Sequence, residues 1–330
     1  MSNKILILGD KRIGTIKQSI ALAQELAMPY EIIDLEYNKL AKIPNFFFSE
    51  SLIRLKKLPK KQIEAIKDFP EIIISAGRKS ATCALYLKEK SNKQSKVIQI
   101  MNPNINLKKF DLIILPKHDK ILSHNHPNII NTIGALTKID EKTITQEQKK
   151  FENWFDCNRQ YRIVLMLGGS SNKTNFSENS AIHLAKITSK IVKNMNAKLF
   201  ILNSPRSGKK ISDALKSTLD CDHVFFDWNE LSKKGENPYL AALAMGNFFI
   251  ITGDSVSMIS ECCSTGKPVY IFDEAEISSK KHRLFHKDLI NNNYAKRLDM
   301  RTIELENFIP RKLQELQRIS KIVKERFLVD

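Results

Sequence analysis

The stretch IITGDSVSMISECCSTGKPVYIF, residues 250–272, contains a strand, a turn, a helix and a second strand. An apolar run ends in the turn 252–254, and a helical stretch begins near Ser255. Gly266 is suited to a helix C-cap, and the next apolar run follows it. Strands that alternate with helices are typical of α/β folds with parallel sheets.

The turn in this stretch has the features of an anion site. Backbone N–H groups and small hydroxyls meet a helix N-terminus there, which favours a phosphate. Ser257 and Glu261 are four residues apart and share a helix face. A carboxylate one turn inside such an N-terminus can accept hydrogen bonds from a ribose diol. The stretch therefore predicts a nucleotide-sugar pocket.

Short apolar runs alternate with helical patterns along the whole chain, in two sets of five. The sequence predicts strands at 4–8, 30–34, 71–75, 96–101 and 111–115, and then at 162–167, 198–202, 223–226, 248–252 and 268–272. Two sets predict two α/β domains with parallel sheets. The polar stretch 140–158 is the best boundary, which predicts domains at 1–157 and 158–308, and the helical pattern 309–328 ends the chain.

Composition and length fit two globular domains. The chain has 330 residues, of which 42% are hydrophobic, and no apolar run approaches the ~20 residues of a membrane span. Its five cysteines show no CxxC spacing, so the sequence indicates neither a disulfide framework nor a zinc site. No signal peptide is expected at the N-terminus, and we expect a cytoplasmic protein.

The formal net charge of +17 has four interpretations. Nucleic acid, an anionic membrane surface and phosphorylated substrates are candidate partners, and a compositional lysine bias is the fourth explanation. Nucleic acid is the weakest, because the interleaved aromatic and basic motif of common modules is missing. Residues 46–61 join an aromatic cluster to a basic one, which predicts a contact with the anionic inner face of a membrane; a core helix with a solvated edge is the alternative.

Several turns after predicted strands carry candidate donor-binding residues. Gly168 and Gly169 open a Gly-Gly-Ser-Ser turn whose backbone could approach a diphosphate, although a plain strand-to-helix turn explains it as well. Arg206 could bind phosphate with its fork of donors or be a solvated loop residue. Asn237 could cap a helix, and Tyr239 could stack on a nucleotide base.

Two residues are rival candidates for the catalytic base. His118 follows a predicted strand and precedes Asp119, and a histidine can deprotonate a sugar hydroxyl. Asp10 lies in the first turn of the chain, where it could also simply cap a helix. The pattern formed by Asp220 and Asp222 resembles a metal-binding DxD, but it precedes a strand. We therefore expect no metal and no cofactor.

Together these motifs resemble the mitochondrial-fission "elongated mitochondria" family, whose bacterial members are regarded as glycosyltransferases. The resemblance covers residues 5–297, and its most specific segments are 254–261 and 266–270. The matching positions are Asp10, Gly14, Gln18, Gly77, Arg78, Gln99, Asn102, Pro103, 116–119, Thr132, Gly134, Gly168, Gly169, 237–239, 252–258, Glu261 and 265–270.

The resemblance implies a GT-B-like fold, with two Rossmann-like domains facing across a cleft and a last helix, 309–328, that returns to the first domain. The second domain would hold a nucleotide-sugar and the first an acceptor, with Glu261 on the ribose. The leading hypothesis is a glycosyltransferase acting on a cell-envelope glycolipid or polysaccharide; the alternative is a non-catalytic scaffold or membrane-recruitment factor. Donor-binding candidates are Gly168, Gly169, Ser170, Arg206, Asn237, Tyr239, Gly253, Asp254, Ser255, Ser257, Met258 and Glu261. Acceptor-binding candidates are Gly14, Gln18, Gly77, Arg78, Asn102 and Asp119.

Overall fold

The chain forms two compact units in a computed structural model. The residues it describes are 2–10, 12–119, 126–171 and 174–328. The first unit is drawn from 1–138 and 314–330, and the second from 139–313. Among the described residues each unit contains a six-stranded sheet whose paired strands are all parallel.

The strands and helices alternate along most of the chain. In chain order the strands are β1 (Ser2–Gly9), β2 (Tyr30–Asp34), β3 (Pro70–Ala76), β4 (Lys96–Ile100), β5 (Leu112–Pro116), β6 (Ile129–Thr132), β7 (Tyr161–Met166), β8 (Ala197–Leu202), β9 (His223–Phe226), β10 (Phe248–Thr252), β11 (Val269–Phe272) and β12 (Lys296–Arg297). The helices are α1 (Ile13–Leu26), α2 (Lys57–Glu64), α3 (Gly77–Lys90), α4 (Glu141–Lys150), α5 (Glu178–Asn194), α6 (Lys209–Thr218), α7 (Trp228–Leu231), α8 (Tyr239–Met245), α9 (Val256–Cys263), α10 (Lys280–Asn291) and α11 (Glu315–Phe327).

The first sheet has the order β2-β1-β3-β4-β5-β6, and its inner strands are buried on both faces, whereas the edge strand β2 is largely exposed. Ile5 and Ile7 pack with residues of α1 and α11 on one face. The intervening Leu6 and Leu8 pack with residues of α3 on the other. Because successive side chains of a strand point to opposite faces, a strand covered on both sides becomes a continuous apolar run. This is why β1 was recognisable in the sequence.

The second sheet has the order β12-β11-β10-β7-β8-β9. Its central strand β7 contributes Ile163 and Leu165 to a core that includes Leu184 and Ile191 of α5. The turns that follow β7, β8, β10 and β11 leave the sheet at one edge, because these four strands are parallel neighbours. The candidate donor-binding turns are thereby brought together.

Two strands were not predicted, because they lack an apolar pattern. β6 has four residues, one of them Asn131, and β12 consists of Lys296 and Arg297 alone. The final helix begins at Glu315, later than the pattern 309–328 predicted. The backbone just before α11 makes a hydrogen bond outside that helix, since the Leu313 amide donates to the Cys263 carbonyl oxygen at 3.0 Å.

The segment 139–157, which the sequence assigned to the first domain, packs within the second unit. The Phe155 ring lies 5.0 Å from the Phe200 ring and 5.1 Å from the Phe226 ring. The Trp154 ring stacks on Phe226 at 5.8 Å. These aromatic contacts outweigh the polar composition of the segment, which had suggested a domain boundary.

Among the described residues, no helix has the length and apolarity that crossing a membrane requires.

Candidate functional site

Asp254 organises the loops at the carboxyl edge of the second sheet. Its buried carboxylate accepts hydrogen bonds from the Gly169 amide at 2.8 Å and the Thr252 hydroxyl at 2.7 Å. Nη2 of Arg206 donates to it at 3.1 Å, and the Thr252 hydroxyl in turn accepts from the Gly168 amide at 2.7 Å. Asp254 therefore joins the turns after β7, β8 and β10.

These contacts give the two glycines partners within the protein, and their contact with a diphosphate stays a prediction. The amides of Gly168 and Gly169 both donate within the protein. A Cβ at Gly168 would lie 2.2 Å from both carboxylate oxygens of Asp254, and one at Gly169 would lie 2.1 Å from the Arg206 carbonyl oxygen. Glycine is needed at both positions because the loops approach each other closely, and a ligand is not required to explain it.

The N-terminus of α9 retains the features of an anion site. Ser255 is the N-cap residue, and its side chain makes no capping hydrogen bond to the first turn. The amide groups of that turn have no intrahelical partner and carry the positive end of the helix dipole. Ser257 and Met258 lie half-buried on the same turn. Together these residues form a polar, positive surface beside Gly253.

Arg206 adds positive charge to this edge. Its side chain is 45% exposed, and it contacts Asp254 and the Gly169 carbonyl, the latter from Nη1 at 3.4 Å. Arg206 has N–H donors beyond these two contacts. Ser170 is exposed on the adjoining turn, where its hydroxyl accepts from the Phe176 amide at 3.0 Å.

Glu261 lies half-buried on α9 and is paired with Tyr239. The Tyr239 hydroxyl donates a short hydrogen bond to the Glu261 carboxylate. Burial, followed by the charge of Glu261, raises the pKa of Tyr239 well above its usual value. Asn237 Oδ1 accepts from the Tyr239 amide at 3.1 Å, but the N-cap residue of α8 is Pro238 and not Asn237. Glu261 is thus in a polar setting and not in an apolar core.

Lys267 was not predicted as part of this region. Its ammonium group donates to the carbonyl oxygens of Leu243 at 3.1 Å and Gly246 at 2.9 Å, which closes the C-terminus of α8. Burial lowers the pKa of Lys267. The residue fixes the helix that carries Tyr239, and its position after the helix-ending Gly266 was the available signal.

A second unpredicted group lies beneath the α9 turn. His286 of α10 is 3% exposed. Its Nδ1 lies 3.0 Å from Oδ2 of Asp273, and its Nε2 lies 2.9 Å from the Gly253 carbonyl oxygen. Asp273 follows β11 directly, which was the one sequence signal for it. His286 gave none, because it occupies the interior of an ordinary amphipathic helix.

In the first unit, Asp10 is buried against Arg12. Its carboxylate accepts from the Arg12 amide at 3.2 Å, from Nε at 3.0 Å and from Nη2 at 2.6 Å. Burial, followed by the charge of Asp10, raises the pKa of Tyr37 above its usual range. Among the described residues of the turn after β1, Asp10 and Arg12 therefore form an ion pair.

His118 lies in a short 3-10 turn, Lys117–Asp119, after β5. His118 and Asp119 are half-buried. Strands β3 and β4 separate β1 from β5, which places the two strand ends roughly 14 Å apart in the sheet. Asp10 and His118 are consequently alternatives and not partners in one dyad, and both stay predictions.

Two predicted acceptor-binding residues near α1 contact the protein itself. Gln18 Nε2 donates to the Gly14 carbonyl at 3.0 Å, and its Oε1 accepts from the Leu136 amide at 3.1 Å. Gln18 is buried, whereas Gly14 is exposed. The Gln18 side chain therefore links α1 to the backbone at Leu136. Gly14 stays a predicted contact of the acceptor.

The other predicted acceptor-binding residues also shape backbone. Arg78 donates to the carbonyl oxygens of Ile43 at 2.9 Å and Ala41 at 2.8 Å. Gly77 has φ +74°, which favours glycine at the start of α3. Asn102 Oδ1 accepts from the Asn104 amide at 2.8 Å. Arg78 and Asn102 therefore hold loops, and no contact to an acceptor follows from these positions.

Residues 13–327 match the mitochondrial fission ELM1 family. The chain belongs to this family. The ELM1-family resemblance expected from the sequence motifs is thus confirmed. The chain is 32% identical to an uncharacterized protein of Rickettsia prowazekii, with 97% of each chain covered. It is 28% identical over 225 residues to mitochondrial fission protein ELM1 of Arabidopsis thaliana, covering 62% of this chain and 52% of that protein.

Solved structures share the fold of this ELM1-family chain. UDP-GlcNAc 2-epimerase of Methanocaldococcus jannaschii has a TM-score of 0.62 at 13% identity, covering 98% of this chain and 99% of the epimerase. The glycosyltransferase SnogD of Streptomyces nogalater has a TM-score of 0.52 at 12% identity, covering 99% and 95%. At these identities the likeness shows the fold alone, and it confirms the GT-B-like α/β class.

Proposed function

We propose that this ELM1-family chain is a metal-independent glycosyltransferase that moves a sugar from a nucleotide-sugar to a cell-envelope glycolipid or polysaccharide. The observation that carries the proposal is the convergence of the α9 N-terminus, Arg206 and Glu261 at one edge of the second sheet. An anion-favouring helix end beside a half-buried carboxylate suits a diphosphate joined to a ribose.

The diphosphate binds against the first-turn amides of α9 and the free edge of the Arg206 guanidinium. These donors stabilise negative charge as the nucleoside diphosphate leaves, which is the role a metal ion has in other transferases. The ribose hydroxyls bind Glu261 in the place that the Tyr239 hydroxyl takes in the structure. Tyr239 is then free to contact the base. Gly168 and Gly169 contribute by shaping the loops.

The acceptor hydroxyl is deprotonated in the first unit by Asp10 or His118. Asp10 is ion-paired with Arg12, so its use as a base requires Arg12 to move or to contact the acceptor. His118 lies half-buried in the short turn after β5. Comparing Asp10→Asn with His118→Asn in a transfer assay separates the two candidates.

Thermal shift against UDP-, GDP-, CMP- and ADP-linked sugars tests the donor site. We expect one nucleotide class to stabilise the protein saturably, since a ligand that binds only the folded state adds about 2.7 kcal/mol at a hundredfold excess over Kd. Glu261→Ala should weaken binding at least tenfold, because a charged hydrogen-bond partner is lost. The matched control is Glu89→Ala, which removes an exposed carboxylate from α3 of the first unit.

The alternative is a non-catalytic scaffold or membrane-recruitment factor, which the engagement of both glycine amides within the protein favours. The thermal-shift panel decides between the two. A chain that no nucleotide-sugar stabilises is a scaffold. Stabilisation that Glu261→Ala leaves intact places the ligand somewhere other than α9.

The chain acts peripherally at the inner face of a membrane through the aromatic and basic segment 46–61. Phe46 is 81% exposed, Phe47 66% and Leu58 70%, and solvent-facing aromatic side chains of this kind insert into the bilayer interface. Anionic lipid is the complementary partner for the exposed lysines around them. These are Lys39, Lys42, Lys56, Lys57, Lys60 and Lys61.

The loop that carries the two phenylalanines is held by buried polar contacts. Arg54 is 1% exposed and donates to the carbonyl oxygens of Ile43 and Pro44 at 2.7 Å each. Asn45 Nδ2 donates to the Arg78 carbonyl at 2.6 Å. Exposure of Phe46 and Phe47 is therefore a property of a fixed loop, and insertion would cost little ordering entropy.

Vesicle sedimentation tests this surface. We expect binding to vesicles that contain phosphatidylglycerol and little binding to phosphatidylcholine alone. Replacing Phe46 and Phe47 together with serine should weaken binding at least tenfold, because two apolar rings no longer enter the interface. Ile309→Ser is the control, since Ile309 is 91% exposed in the second unit. Equal binding of the double variant would exclude this surface.

A further inference from the structure

Both ring nitrogens of His286 face groups that can only accept hydrogen bonds. Nδ1 lies 3.0 Å from the Asp273 carboxylate and Nε2 lies 2.9 Å from the Gly253 carbonyl. A neutral imidazole has one N–H group, so it can serve only one of these acceptors. A doubly protonated ring serves both.

The state of Asp273 supports the charged ring. Burial alone would raise the pKa of Asp273, but the hydrogen bond and charge of His286, together with the charge of Arg297, lower it below its usual value. Asp273 is therefore a carboxylate, which has no proton to donate. The proton between the two groups belongs to His286.

The ring packs directly against the turn that leads into α9. A Cβ at Gly253 would lie 2.7 Å from Cε1 of His286 and 2.5 Å from Oγ of Ser278. Gly253 stands between Thr252, which binds the Gly168 amide, and Asp254. A group that fixes the Gly253 carbonyl therefore fixes the start of the candidate anion site.

Other charged groups surround this pair. His282, one turn earlier on α10, has its pKa lowered by burial first and by the charge of His286 second, while Asp254 acts in the opposite direction. Arg206 is a further neighbour of His282, and Arg297 faces Asp273 from β12.

We propose that His286 is a positioning residue, held as an imidazolium by Asp273, which fixes the Gly253 carbonyl and places a positive charge beneath the turn where a diphosphate binds. The effect of the His286 charge on a diphosphate rests on the proposed donor site. The protonation of the His286 ring is independent of that site. Neither Asp273 nor His286 touches the reacting atoms in this role.

Nitrogen-15 NMR of the full chain tests the ring without any ligand. At pH 7 we expect both ring nitrogens of His286 to carry a proton, with the signals assigned by their loss in His286→Gln. A ring with a single proton at pH 7 overturns the proposal. Because Asp273 has a lowered pKa, the pair stabilises the folded chain above the unfolded value of about 3.9, and this stability is lost as the pH falls through the lower folded value.

Pyrophosphate binding tests the charge beneath the turn. We expect His286→Gln to bind inorganic pyrophosphate about tenfold more weakly than the wild-type chain, because a nearby positive charge is removed. His183→Gln is the matched control, since His183 also contacts a carboxylate, that of Glu274 at 3.1 Å, but is half exposed on α5. Unchanged binding by folded His286→Gln overturns the proposal. If the wild-type chain binds no pyrophosphate, the donor site and the charge placement both fail, and NMR still decides the ring.

Discussion

Asp254→Ala should lower the free energy of unfolding of the second unit by about 3 kcal/mol or more, because a buried carboxylate with three donors is removed. The Gly169 amide and the Thr252 hydroxyl lose their acceptor, and Arg206 loses its counter-ion. The partial exposure of Arg206 keeps the estimate at the low end of the range for broken buried ion pairs. Urea denaturation, monitored by tryptophan fluorescence, measures this loss of unfolding free energy, since Trp154 and Trp228 both lie in the second unit.

Asp213→Ala is the control for this experiment. Asp213 is exposed on α6 of the same unit, so its loss should change the unfolding free energy by no more than about 0.5 kcal/mol. If Asp254→Ala behaves like Asp213→Ala, the loops after β7, β8 and β10 are not held by Asp254. Asp254→Asn should fall between the two, because its amide oxygen still accepts one or two of the hydrogen bonds.

Gly169→Ala should destabilise the same unit by about 3 kcal/mol or prevent folding, since overpacking against backbone cannot relax by a side-chain rotation. The added Cβ would meet the carbonyl oxygen of Arg206 at 2.1 Å and its carbonyl carbon at 2.2 Å. The β8 turn would have to move, and with it the contact between Arg206 and Asp254.

Gly235→Ala separates this steric effect from the general cost of replacing glycine. Gly235 has φ +69° and no atom within 4 Å of its added Cβ, so only backbone strain of about 1 kcal/mol is expected. Both variants are compared by urea denaturation with the same fluorescence probe. Equal losses of unfolding free energy in Gly169→Ala and Gly235→Ala would mean that the loops around residue 169 move easily. Close packing would then not explain why residue 169 is glycine.

The α/β class could be predicted from the sequence because the inner strands of the sheets are buried on both faces. Ten apolar runs marked ten strands, and the turns after them predicted the edge at which a ligand would bind. β6 and β12 were missed since they are short and polar. Residues 139–157 were assigned to the first domain because their composition is polar, whereas Trp154 and Phe155 pack against rings of the second unit.

The sequence predicted which segments form the candidate site, but it predicted the contacts of their individual residues less well. Glu261 and Tyr239 were both chosen as donor-binding residues, but their mutual hydrogen bond joins positions 22 residues apart. Arg78 and Gln18 were chosen for an acceptor, and both bind backbone of the protein. A side chain that can contact a ligand can equally contact a distant carbonyl, and the sequence does not distinguish the two.

The pattern of apolar and polar residues determined the α/β alternation and the parallel sheets, because it repeats within some 30 residues. It also predicted the edge of the sheet at which a ligand would bind. Only the tertiary structure decided what the loop groups contact. The Gly169 amide is bound by a carboxylate 85 positions away, and the Gly253 carbonyl by a histidine 33 positions away. Such pairings depend on which strands become neighbours, and that is settled when the sheet assembles.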